Sequence, residues 1–234
     1  MPINCNFVGR PHISSWLPGE TLFSMASRHH IVACNSTPAE TCRQLFGHPR
    51  IGSAHDFPAR VGYLAAQTQG QLGSPRDIIL DHTITRFFFP FQSPKKCANW
   101  VAQMTSGAAS QLKSQLGLPS ARFGAAHPLK ACAQCMAEDA RLCTVAYWHV
   151  EHQIPGVWVC PHHHSLLLTS RKKWSGEDRF GWCLPFDVEL VPSAGQIDTS
   201  AFDALNTIAS SAIALWKLAP KVHLSEPSLA STYR

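Results

Sequence analysis

Apolar positions along this chain recur first at helical spacing and later in dense, strand-like runs. From Glu20 onward Leu22, Phe23, Ala26 and Ile31 share one side of a helix, which the polar Asn35 and Ser36 should stop just beyond Cys34. Thr37, Pro38, Ala39 and Glu40 then place an N-cap, a first-turn proline and a capping-box acid at the required spacing, predicting a short helix to about Phe46. Ser74, Pro75, Arg76 and Asp77 repeat that punctuation, and Ser93 and Pro94 repeat it in part, with Lys96 where the acid would stand. Between these starts, Val61, Leu64 and Ala65 line one side of a segment running from Ala59 to Gln69. Residues 20–116 therefore read as all helical, in five pieces.

After Pro119 the pattern changes. Tyr147, Trp148, Gln153, Ile154, Val157, Trp158 and Val159 are residue types favoured in strands, with Pro155 and Gly156 as a turn, so a small sheet is expected there with cysteine pairs at its ends. Residues 175–197 are rich in turn formers, and helical periodicity returns from Thr199 to Leu218 through Phe202, Leu205, Ile208, Ala212 and Leu215. Residues 1–18 read as an irregular arm and 219–234 as a loose tail. Phe87, Phe88, Phe89 and Phe91 around Pro90 form an aromatic turn, either a buried plug or, if exposed on an extended surface, a platform for stacked bases.

Composition sharpens this picture in two places. Charged residues are only 15% of the 234, below the roughly 25% usual for soluble domains, while 13 histidines and nine cysteines are present. An odd cysteine count suits metal binding in a reducing compartment better than a disulfide framework, and no signal-peptide pattern or long apolar run is seen, which points to a cytoplasmic protein with no membrane partner. The net charge of +5 attracts polyanions only weakly, because the basic residues are scattered and the longest run is Arg171, Lys172 and Lys173.

The clearest chemistry lies in two knuckles. Cys132, Ala133, Gln134 and Cys135 form a CxxC turn that can aim two thiolates at one point, and Cys160, Pro161, His162 and His163 form a CxxH turn arriving 24 residues later. Cys132, Cys135, Cys160 and His163 are thus expected to hold one structural Zn2+, with His164 as the reserve for His163; Cys143 and Cys183 are expected to be buried thiols. Four protein ligands leave no open position for an activated water. His149, Val150 and Glu151 reproduce the HxE of zinc deaminases, but Glu151 stands too close to Cys160 for that fold, and the downstream PCxxC is missing. No HExxH, phosphate-binding glycine loop or GxSxG occurs, so the chain reads as a non-enzyme.

Taken together, Pro18, Gly19 and Glu20 followed by Ser24 and Arg28, a helical segment, then CxxC, Tyr147 and Trp148, and CxxH with an internal proline, resemble the TniQ/TnsD family of transposon target-selection proteins over residues 15–170. The resemblance implies a mainly α protein: a helical, helix-turn-helix-type domain over 19–118, a small β zinc-ribbon-like CCCH module over 119–174, and a linker and C-terminal helix over 175–218. It also implies a bacterial adaptor that links target DNA or a CRISPR RNA-guided complex to the transposon's AAA+ ATPase regulator, with a homodimer left open. A zinc-stabilised interaction scaffold without DNA affinity is the alternative. Helices 37–46 with 59–69, or 59–69 with 74–82, have lengths suited to a helix-turn-helix, with Arg43, Arg60 and Arg76 available to phosphates. Glu20, Ser24 and Arg28, four residues apart, form a row that is either a solvated face or a structural or partner contact. The family usually has glycine after the last ligand, where this chain has His164.

Overall fold

The computed structural model describes residues 15–120, 127–170, 181–195 and 197–224. The basic triplet 171–173, most of the N-terminal arm and the last ten residues lie outside them. Local punctuation sets the helices of the first half. Helix α1 (Leu22–Val32) starts at Thr21, whose hydroxyl accepts the Ser24 amide at 3.0 Å. Helix α2 (Pro38–Phe46) has the full Thr37/Glu40 capping box and ends on Gly47 at φ 66°, a left-handed conformation that glycine adopts without a Cβ penalty. Helix α3 (Val61–Gln67) begins two residues later than expected because Arg60 is itself left-handed, at φ 60°. Helix α4 (Pro75–His82) carries the Ser74/Asp77 box. In α5 (Pro94–Ser106) Ser93 caps alone, since Lys96 cannot return the bond. The last helix does not run on to 116. It stops at Gly107, and a separate short α6 (Leu112–Gln115) follows.

These helices bury Leu22, Met25, Leu45, Phe46, Leu64, Ile78, Ile79 and Met104 almost completely, and each such side chain stabilises the fold by about 1.5–3 kcal/mol. Between α4 and α5 a 3-10 turn (Thr85–Phe91) carries the aromatic run. Phe89 plugs the core at 1% exposure, whereas Phe91 is 42% exposed, and Phe87, Phe88 and Phe91 line a groove.

The expected sheet over 147–159 is absent. That stretch is a single-turn helix α8 (Val150–Gln153), the predicted turn at Pro155 and Gly156, and two isolated bridges, His149 with Glu20 and Val159 with Leu166. Its aromatic and β-branched residues are there for burial: Trp148, Ile154, Val157 and Val159 are all fully buried. The sheet is instead built from β1 (Lys130–Ala131), β2 (Leu168–Ser170) and β3 (Leu190–Pro192), antiparallel in that order, pairing Lys130 with Thr169 and Thr169 with Val191. Helix α7 (Ala133–Cys143) springs directly from β1.

The two halves share one core, in which Trp148 is the bulkiest fully buried side chain. The Trp148 amide donates to Ser24 Oγ at 3.1 Å, its carbonyl accepts the Thr21 amide at 2.9 Å, and its indole donates to the Cys183 carbonyl at 2.8 Å. Tyr147 Oη donates to the Pro18 carbonyl at 2.9 Å, and Glu20 bridges to His149. The Pro18–Glu20 and Tyr147–Trp148 signatures are therefore two sides of one joint. Buried Asp56 makes a second joint, bonded to Lys113 on α6 and to His127 ahead of β1. Helix α9 (Thr199–Leu218) has the bounds expected, packs Ala209, Ala212 and Ile213 on the cysteine-bearing segment, and receives Arg86 on the Trp216 carbonyl at 2.8 Å. Beyond it, His223 and Leu224 dock on the carbonyls of Phe89 and Pro90, so the tail is held at its start. Among the described residues no helix is long and apolar enough to cross a membrane.

Candidate metal centre

Cys132 directly follows β1 and stands at the N-cap of α7, which places Cys135 in the first turn of that helix. The second knuckle turns back on itself through bonds from the His164 amide to the Cys160 carbonyl, 3.0 Å, and from the Cys160 amide to the Ser165 carbonyl, 2.8 Å. Its turn is closed by His164 at φ 47°, a left-handed conformation that costs a residue with a Cβ about 1 kcal/mol. The resemblance leads one to expect glycine here, and His164 takes up the glycine-like backbone, with its ring pointing away toward Asn206.

The knuckles converge. One ligand atom from each of Cys132, Cys135, Cys160 and His163 lies within 4.8 Å of the others. His163 Nδ1 sits 3.6, 3.3 and 3.7 Å from the sulfurs of Cys132, Cys135 and Cys160, and the Cys135 and Cys160 sulfurs are 3.7 Å apart. Tetrahedral zinc with bonds of about 2.3 Å to sulfur and 2.0 Å to nitrogen requires S···S edges near ~3.8 Å and S···N edges near ~3.5 Å. The cluster has those dimensions, and its three cysteines are buried. This group can hold a metal ion.

Neighbouring groups orient the side chains of the cluster. His163 presents Nε2 to Glu138 Oε1 at 3.3 Å, which directs Nδ1 toward the sulfurs. Ser165 Oγ lies 3.4 Å from Cys132 Sγ. His152, 1% exposed, points Nε2 at the sulfurs of Cys160 and Cys135 at 3.5 and 3.8 Å. Burial, aided by the charge of nearby His149, lowers the His152 pKa to about 3, so its ring is neutral. Lys130, fully buried, donates Nζ to the carbonyls of Ile154 and Val157 at 3.1 and 2.6 Å and lies 4.7 Å from the Trp158 ring centroid, bracing the turn that leads to Cys160. Burial lowers its pKa to about 7.

The deaminase-like residues face elsewhere. His149 bonds Asp139 at 2.8 Å, and Glu151 pairs with His162 and Lys217 at 3.2 and 3.0 Å. Cys143 and Cys183 stand outside the cluster; Cys183 is buried, but Cys143 is only half-buried at the end of α7. Of the five residues expected at a DNA or partner surface, Glu20 has no exposed surface and its carboxylate is paired with Arg28 in two bonds of 2.8 and 2.7 Å. Glu20 precedes α1 instead of lying on it, so the row with Ser24 and Arg28 is an internal joint of the fold. Arg60 is half-buried, donating to the Phe46 carbonyl beneath Tyr63. Arg43 and Arg76 are exposed.

Sequence reasoning missed Glu138, His152, Ser165 and Lys130. Glu138, three residues beyond Cys135 on a helix, was legible in principle; a buried lysine runs against the usual preference and carried no signal.

The fold and the knuckles are those of a defined class of proteins. The TniQ family model matches residues 12–167, well over half of the chain, and the chain belongs to the TniQ family. It is also similar to the transposon Tn7 transposition protein TnsD of Escherichia coli, at 22% identity over 154 residues. That match covers 65% of this chain and 30% of the relative, so the chain spans under a third of that protein's length.

Proposed function

We propose that this chain selects the target in Tn7-like transposition, as a zinc-stabilised adaptor between a target complex and the transposon's AAA+ ATPase regulator. The observation that carries the reading is the single family match running through both the helices and the knuckles, with the flanks of the first knuckle, Ala131 and Met136, built into the core of the helices. The metal is one structural Zn2+ held by Cys132, Cys135, Cys160 and His163, in keeping with the edge lengths, and it supplies folding free energy where no coordination position is left for water. Helices α2 and α3, or α3 and α4, serve as the helix-turn-helix of a CCCH zinc-finger protein. Arg43 and Arg76 are then the exposed cations placed for phosphates.

A scaffold that binds only protein is the second reading, favoured by the low charge and by an apolar groove of about 970 Å3 between the aromatic turn and α9. Binding of the zinc-loaded chain to labelled duplexes across a salt series separates the two, using random DNA and DNA from the insertion site. A steep slope with preference for the insertion site supports direct reading of DNA by the helices. Flat, sequence-blind binding, with retention of the ATPase on the immobilised chain, supports the scaffold.

A further inference from the structure

We propose that His152 is a positioning residue of the metal centre, donating its Nε2 hydrogen to the Cys160 and Cys135 thiolates on the edge of the tetrahedron opposite solvent. The inference rests on the zinc reading given above. Two nitrogens compete for the fourth ligand position, and the distances separate them. His163 Nδ1 is within 3.3–3.7 Å of all three sulfurs and so caps their triangle. His152 Nε2 reaches only Cys160 and Cys135, at 3.5 and 3.8 Å, and therefore lies outside that triangle beside one edge.

The electrostatics ask for a donor there. Three thiolates, a neutral imidazole and Zn2+ carry one net negative charge, placed among cysteines that are 0–5% exposed. A buried charge without compensating hydrogen bonds is costly. Ser165 faces the Cys132 sulfur, and, apart from His163 at the fourth corner, His152 faces the other two. The ring has no second use: His152 Nδ1 is buried without a hydrogen-bond partner. An unpartnered ring nitrogen is tolerated where the other nitrogen has a fixed task.

A donor at this edge offsets the excess negative charge on the two sulfurs, which lowers the cost of keeping both as buried thiolates and makes them poorer nucleophiles. Loss of such an outer partner typically weakens metal binding by about 10- to 100-fold.

The test is NMR of the unmodified protein loaded with 113Cd, followed by two variants. Cadmium shifts marking three sulfurs and one nitrogen establish the metal reading by itself; failure to bind in that set overturns the zinc assignment before His152 is examined. Given that set, scalar coupling between cadmium and the Nε2 hydrogen of His152 is expected through the N–H···S bond. Absence of that coupling, or a His152 ring-nitrogen shift showing direct ligation, overturns the proposal. His152→Leu is expected to lose zinc to a competing chelator about 10- to 100-fold more readily and to react faster with a thiol reagent. His152→Gln, which keeps an N–H near the same place, is expected to restore most of the loss. Equal zinc retention and thiol reactivity in the leucine variant and the parent overturn the proposal.

Discussion

Replacing Arg28 by methionine tests the joint between the helices and the cysteine-bearing segment. The substitution keeps most of the side-chain volume but removes two charge-assisted bonds to Glu20 and one from Nη2 to the Ser15 carbonyl at 2.9 Å. Glu20, with 0% exposure, is left with the Leu17 amide at 3.1 Å as its remaining side-chain partner among the bonds described. Breaking a buried pair by removing one partner costs about 3–5 kcal/mol, against ~0–1 kcal/mol for an exposed pair. At about 2–4 °C per kcal/mol for a chain of this size, the melting temperature should fall by roughly 6–20 °C. Thermal and urea unfolding of the zinc-loaded protein measure it, with Glu20→Met/Arg28→Met alongside. Because the double variant leaves no unpaired charge, it should be more stable than the single one. A single variant that loses less than ~1 kcal/mol would refute the reasoning and return the row to a solvated face.

Other outcomes follow from the same structure. Cys132→Ser and Cys160→Ser should each abolish stoichiometric zinc binding and melt the segment around it, whereas Cys143→Ser should leave zinc content unchanged by elemental analysis; equal loss in all three would show the wrong ligand set. His164→Gly should raise stability by about 1 kcal/mol in urea unfolding by relieving the left-handed backbone, and a loss would mean that the ring's approach to Asn206 outweighs the strain. Lys130, at about 7 in the fold and 10.5 unfolded, binds fewer protons folded than unfolded between those values. Its contribution should make stability rise with pH across that window and level off below it, and Lys130→Met should flatten the slope; identical slopes would show the amine charged throughout. Asp56→Asn should cost about 1.5–3 kcal/mol by removing the carboxylate that Lys113 and His127 bond, measured by the same unfolding assay.

How much was legible follows from how local each signal is. Thr37/Glu40 and Ser74/Asp77 are contacts within four residues, so their helices could be read directly. The knuckles are equally local, and the 24 residues between them need only a chain that returns, which made the clustering of these four side chains readable. The sheet was not readable, because its strands are two or three residues long and Thr169 pairs with residues far away in sequence. Tyr147 to Val159 misled because apolar, β-branched residues mark burial as well as strands; the Trp148 backbone is satisfied by Ser24 and Thr21 instead of a ladder. Glu20, Ser24 and Arg28 show the same limit: their spacing fits an exposed helical face and a buried pair alike, and only the docking of residues 147–149 decides.

The most direct test of the proposed role is to map insertions of the transposon in cells with and without this chain, and with Cys132→Ser. The account predicts that insertions concentrate at a defined target when the intact chain is present, and that the concentration disappears without it and with the serine variant. An insertion profile that is the same in all three strains would contradict target selection by this chain.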